Sequence, residues 1–412
     1  MIKKIKIEQL TPGMYVQDFN CSWLEHPFVT NSLLLETMKD VDRVREFGIR
    51  ELYIDTVKGL DEGDALTLEE ARKKTTEEMH VVLDWERPTT IKNRIEVVEE
   101  LPKAKRVKQD AKKAITEIMA DIKLGKQVEV EKAEHVVEGM VDSIFRNVDA
   151  LTSLSRIKEA DQYLFMHSVN VCVLMVSFCR FLSLERDVIV RVGVGALLHD
   201  IGKTKMPIRI LYKPAHLTEK EFEVMQKHAT YGRDILLKTS TISKEAIQVA
   251  YEHHERFDGT GYPNKLVGDG ISKFGQMASI ADVYDAITTD RVYHKGMEPA
   301  EAIRKIFDWS KHNFKEDLTH WFIKCVGIYP VGTLVRLDSG LLAVVAEPGQ
   351  KSILRPMVKV VYDTNKQRLV KPYNLDLGAD AGPGAEQKII AYEDPIKRGI
   401  NPLDFLDLHG IF

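Results

Sequence analysis

Much of what would place this chain outside the ordinary globular class is missing from it. Its 412 residues contain four cysteines, Cys21, Cys172, Cys179 and Cys325. None forms a CxxC pair or stands at a His/Cys spacing, which excludes a zinc knuckle and a disulfide framework and fits a reducing cytoplasm. No apolar run reaches the roughly 20 residues that a membrane span needs. The longest, VNVCVLMVSFC at 169–179, closes at Arg180 and reads as a buried helix. The opening MIKKIKIEQL interleaves lysine with isoleucine and lacks an apolar h-region, so no signal peptide is expected. A formal net charge of −4 gives no footprint for long DNA or RNA, although it leaves room for local basic clusters around a small anion. Internal repeats and low-complexity tracts are also absent from the sequence.

What remains is 44% apolar and 29% charged residues, enough for two or three cored domains. Residues 1–60 read as a small α+β accessory module. Ile2, Ile5 and Ile7 suggest a strand, Thr11-Pro12-Gly13 a turn and Met14 to Val16 a second strand; Leu34, Leu35, Met38, Val41 and Val44 recur at helical spacing before Gly48 and the strand-like GIRELYID. From 61 to 105 the chain is highly charged and interrupted by Pro88 and Pro102, as in a helical linker. Residues 106–325 carry long helical patterns, such as Ile115, Ile118, Met119 and Ile122, and predict an all-helical bundle. Residues 326–412 predict a small β appendage, with Asp338-Ser339-Gly340 between two β-rich runs and a turn at Thr364-Asn365. The fold class expected is therefore mainly α.

Two motifs carry the chemistry, HDIGK at 199–203 and HHERFDGTGYP at 253–263. His199-Asp200 ends the apolar run VGVGALL, so a buried helix would carry two ligand types inward, where a cation compensates the desolvated carboxylate. Asp200, with two oxygens, is the candidate bridge of a two-metal centre. His253-His254 follows Ile247, Val249 and Ala250 and should sit at a helix end; the plain alternative is a surface pair against the helix dipole. In the loop after it, Asp258-Gly259 and Gly261 permit a tight turn that brings Tyr262 toward a ligand, with an ordinary surface turn as the alternative. His228 and Asp282 lie on helix patterns, where each alone reads as a core or surface residue. Lys203, four residues after His199 on a continuing helical turn, is placed to neutralise phosphate or protonate a leaving oxygen, or else is a solvated lysine. A set of imidazoles and carboxylates suits divalent iron, manganese, nickel or zinc rather than calcium.

Together HDIGK, HHERFDGTGYP and ADVYDAITTDR resemble the HD-GYP family, a branch of the HD metal-dependent phosphohydrolases, over about 130–325. KIKIEQLTPGMYV and SWLEHPF resemble an N-terminal module often found ahead of that domain. The resemblance implies a helical bundle that hydrolyses the bacterial second messenger cyclic di-GMP to pGpG or GMP, using a water activated by two divalent ions, with iron or manganese favoured over nickel or zinc. His167, His199, Asp200 and Asp282 would hold one ion and His228, His253 and His254 the other. The glutamate that serves a third ion in some members is Tyr163 here, so two ions are expected. Asp200 and Lys203 would be the catalytic side chains. Lys203, Tyr262, Arg291 and His294 would meet substrate, although Val292 replaces the family's proline and His294 its Arg or Lys.

The same resemblance makes diguanylate cyclase proteins candidate partners of the GYP loop, in the cytoplasm, and leaves a homodimer open. Two rivals share these residues. One is an HD phosphohydrolase for another nucleotide, which a turnover panel would separate. The other is a weakly catalytic cyclic di-GMP receptor, which binding without product would establish.

Overall fold

The computed structural model describes residues 1–21, 32–83, 94–155, 163–213, 215, 217–289, 296–349, 352 and 354–406. SWLEHPF, Arg291, Val292 and His294 lie outside the described residues.

The chain begins with β1 (Ile2–Lys6), β2 (Tyr15–Asp18), β3 (Leu33–Leu34), α1 (Met38–Glu46), β4 (Glu51–Asp55) and β5 (Leu66–Thr67). The strands form an antiparallel sheet ordered β3-β2-β4-β1-β5. Alternation in ELYID buries Leu52 and Ile54 with Ile5, Val16, Val41 and Val44 in a core of their own. Leu34, counted above with the helical pattern, belongs instead to β3. Thr37 starts α1 by a capping box with Asp40, which fixes the helix boundary after the leucines.

The charged stretch that follows supplies β5 to this sheet and α2 (Leu68–Leu83), which buries Ala71, Thr75 and Met79. Next come α3 (Val97–Lys123), α4 (Val130–Arg146), α5 (Val148–Ser155), α6 (Tyr163–Phe181) and α7 (Arg186–Leu198). Pro102 does not interrupt the chain but lies inside α3. Its neighbours Leu101 and Ala104 are buried, so packing outweighs the one backbone bond that proline cannot make. A three-ten turn over Ile201–Lys205 leads to α8 (Ile208–Leu211), α9 (Glu219–Leu236), α10 (Lys244–Glu252), α11 (Lys273–Thr288), α12 (Pro299–Trp309) and α13 (Glu316–Val326). Helices α6, α7 and α11 are apolar nearly all round because other helices cover them on every side.

The chain then forms β6 (Leu334–Leu337), β7 (Leu341–Glu347), β8 (Met357–Asp363), β9 (Arg368–Asp376), β10 (Ile389–Tyr392) and α14 (Pro395–Arg398). The antiparallel order is β10-β6-β7-β8-β9. Period-two patterning serves both faces: Leu334, Leu342, Val344 and Val361 join the helical core, while Val335, Ala343, Val345 and Val360 form a separate cluster. No helix among the described residues is long and apolar enough to cross a membrane.

Candidate metal centre

Four helix ends and two helix interiors bring the candidate ligands together. His167 lies in the second turn of α6, His199 caps α7, Asp200 opens the three-ten turn, and His228 sits inside α9. His253 caps α10, His254 follows it, and Asp282 comes from α11. Two glycines permit this convergence. A Cβ at Gly195 would lie 2.6 Å from Ala246 Cα, so glycine lets α7 and α10 approach; one at Gly202 would overlap the His228 carbonyl, so glycine lets the three-ten turn rest on α9.

All seven residues are buried, none more than 6% exposed. They form overlapping groups able to hold a metal ion: His167, His199 and Asp282; His199, Asp200 and His253; and His228, His253 and His254. Asp200 stands between them. Its Oδ2 lies 3.4 Å from His199 Nε2 and 3.9 Å from His167 Nε2, while Oδ1 lies 3.5 Å from His228 Nε2 and 4.0 Å from His253 Nε2. Asp282 Oδ1 lies 2.9 Å from His167 Nε2, and its Oδ2 is 3.8 Å from His254 Nδ1.

Backbone carbonyls set the imidazole tautomers. Nδ1 of His199 donates to Ala196 O at 2.8 Å, that of His228 to Met225 O at 2.7 Å and that of His253 to Ala250 O at 2.9 Å. A carbonyl only accepts, so each ring carries its proton on Nδ1 and turns a lone pair on Nε2 inward. Burial, with Lys203 nearby, holds His228 down to about 4; burial and neighbouring imidazoles hold His253 and His254 well below the usual histidine range. These rings are therefore neutral, the state that ligates metal. His167 differs: burial pushes it down, but hydrogen bonds with Asp282 and Asp285 prevail and raise it to about 9, so a cation held there would take the place of its Nε2 proton.

The carboxylates are ionised. Burial alone would raise Asp200, yet the Lys203 ammonium outweighs it and holds the group well below the carboxylate range; the His167 hydrogen bond and charge do the same for Asp282. Three inward-facing atoms, His199 Nε2, Asp200 Oδ1 and Asp282 Oδ2, are nonetheless buried without a hydrogen-bond partner among the described residues. Orphaned lone pairs converging in a buried interior are costly unless a cation satisfies them, so the residues present fit divalent metal. Nitrogen and carboxylate donors in this mixture match a first-row transition ion.

Lys203 reaches the centre differently from the expected continuing α-turn. The chain tightens into a three-ten turn, in which residues three apart eclipse, so Lys203 stands over Asp200 with Nζ 2.6 Å from Oδ2. Tyr262 stacks on His254 at 4.6 Å and meets Phe222 edge-on at 6.5 Å. The ring thus borders the imidazole cluster.

Two carboxylates escaped the sequence reading. Asp285, one turn after Asp282, lies 2.7 Å from His167 Nδ1; the three-residue spacing within ADVYDA is the signal for it. Glu255, fully buried beside the histidine pair, accepts from the Asn264 and Leu266 amides at 2.7 and 2.9 Å and folds the GYP loop back on itself.

A domain of unknown function (DUF3391) matches residues 2–133, and an HD domain matches residues 142–317. A cyclic di-GMP phosphodiesterase of Pseudomonas aeruginosa is 39% identical over 394 residues, covering 95% of this chain and 92% of the relative. The chain belongs to the HD-GYP family. Shorter matches join this HD-GYP protein to a cyclic di-GMP phosphodiesterase of Thermotoga maritima, 32% identical over 193 residues (47% of this chain, 52% of the relative). A 3'3'-cGAMP-specific phosphodiesterase of Vibrio cholerae is 45% identical over 97 residues (23% of this chain, 19% of the relative). The HD domain of the HD-GYP protein implies divalent metal binding, and its imidazole and carboxylate clusters have the composition to provide it.

Proposed function

We propose that this protein hydrolyses cyclic di-GMP, opening the ring to pGpG or continuing to GMP. The observation that carries the reading is Asp200, whose two oxygens face different imidazoles in the buried interior, Oδ2 toward His199 and Oδ1 toward His228. His167, His199 and Asp282 with Asp200 would hold one ion, and His228, His253 and His254 with Asp200 the other. Ions held there supply Lewis acidity, polarising a phosphoryl oxygen and lowering the pKa of water.

The chain's own groups do the rest. Asp285 orients His167, and the three carbonyls orient His199, His228 and His253. The Lys203 side chain, one-fifth exposed at the edge of the cluster, is placed to balance charge on a phosphate oxygen or to protonate the leaving oxygen. Tyr262 offers a ring face beside His254, and Arg291 and His294 belong to the same proposal as phosphate contacts. Iron or manganese is the favoured metal, with nickel and zinc as alternatives, and the cytoplasm is the proposed compartment. Diguanylate cyclase proteins and a second copy of the chain are proposed partners.

Metal-replete protein assayed against cyclic di-GMP, 3'3'-cGAMP, another cyclic dinucleotide and nucleoside triphosphates tests the assignment. Cyclic di-GMP is expected to give the highest kcat/KM. Preference for a triphosphate, or tight cyclic di-GMP binding without product over hours, would overturn it.

A further inference from the structure

Helix α1 and the turn that joins it to β4 lie against the loop after His254 and against α9, which carries His228. Arg50 Nε is 3.4 Å from Asp258 Oδ2 in the GYP loop, and Arg43 Nε is 2.6 Å from Glu219 Oε1 at the start of α9. Between them, Gly48 has φ +72° and presents its bare Cα to Thr260; a Cβ there would overlap Thr260 Cγ2 and lie 2.9 Å from Thr260 Cβ. Glycine is thus required twice, for its backbone and for the approach.

Asp258 connects this contact to the loop interior. Its Oδ1 accepts from Thr260 N at 3.1 Å and Thr260 Oγ1 at 2.7 Å, while Oδ2 takes Arg50. Two residues on, Tyr262 N donates to His254 O at 3.1 Å and the Tyr262 ring stacks on His254. The module is anchored independently on α12: Lys4 Nζ meets Asp308 Oδ2 at 2.5 Å, Lys305 Nζ meets Asp18 Oδ2 at 2.9 Å and Trp309 Nε1 donates to Asn20 O at 2.6 Å. Losing Arg50 therefore leaves the module docked.

We propose that the N-terminal module is a buttress for the GYP loop, with Arg50 and Gly48 acting as positioning residues that hold Asp258 and Thr260 and thereby set Tyr262 against His254. The inference rests on the cyclic di-GMP reading for its kinetic consequence but not for its structural one.

Full-length, metal-loaded wild type, Arg50→Ala and Arg50→Lys are compared by hydrogen exchange and by steady-state kinetics with cyclic di-GMP. In Arg50→Ala the amides of 257–266 should exchange about two- to fivefold faster, the scale of a solvent-exposed ion pair, while those of α12 stay unchanged. KM should rise by a similar factor with kcat within about twofold, and lysine should restore both. Unchanged exchange at 257–266 overturns the proposal, as does faster exchange with an unaltered KM. If the wild type fails to cleave cyclic di-GMP, the functional reading falls separately and exchange alone decides the positioning role.

Discussion

His199, His228 and His253 share one device: each gives its Nδ1 hydrogen to the carbonyl three residues before it, and so each has a single lone pair to offer inward. At His167 a carboxylate appears in this role, since Asp285 holds its Nδ1. An orienting carboxylate of this kind contributes about 10- to 100-fold to metal affinity. Asp285→Asn should weaken binding at the His167 group by that factor while the protein stays folded, as read by metal titration with circular dichroism; unchanged affinity would refute the role. The candidate ligands His199, Asp200, His253, His254 and Asp282 stood out in HDIGK, HHERFDGTGYP and ADVYDA because the residue types are chemically specific, whereas His167 and His228 lie outside those motifs. The orienting partners were not, because main-chain carbonyls carry no sequence signal and Asp285 differs from an ordinary surface aspartate only through its three-residue spacing from Asp282.

Among the elements, the three-ten turn decides whether the two imidazole groups share Asp200. Gly202 rests on the α9 backbone, where neither His228 O nor Gly232 N can move aside for a Cβ. Gly202→Ala should cost about 3 kcal/mol and lower metal stoichiometry, measured by denaturation and elemental analysis. Wild-type stability in that variant would contradict the packing argument. The start of α9 carries a pH dependence of its own. Hydrogen bonds from Lys213 and from Thr218 lower Glu221 from 4.5 to about 2. A depressed carboxyl stabilises the fold above its unfolded pKa and loses that contribution as pH falls through the folded one. The Tm gap between wild type and Glu221→Gln should therefore be largest above pH 4.5 and close toward pH 2; a gap that widens on acidification would refute the assignment. Helical periodicity made most of the central bundle readable. It failed at Pro102, where burial of Leu101 and Ala104 overrides proline's local preference, and at Leu34, where only the Thr37 capping box distinguishes strand from helix.

For the whole molecule, the groups able to hold a metal join α6, α7, α9, α10 and α11, so ligation there would couple to the stability of the bundle. Ions at a hundredfold excess over Kd stabilise the native state by about 2.7 kcal/mol. Chelation should lower Tm reversibly, and scanning calorimetry showing no shift after confirmed metal removal would exclude a native centre here. The docking of the N-terminal module was not legible, since Lys4–Asp308 and Arg50–Asp258 pair residues more than 200 positions apart and an isolated basic residue does not name its partner. The most direct measurement is elemental analysis and cyclic di-GMP cleavage on one anaerobically purified sample, beside Asp200→Ala. Two transition ions per chain with cleavage, both lost on substitution, is the predicted result; a folded Asp200→Ala protein that cleaves cyclic di-GMP at the wild-type rate would contradict the account.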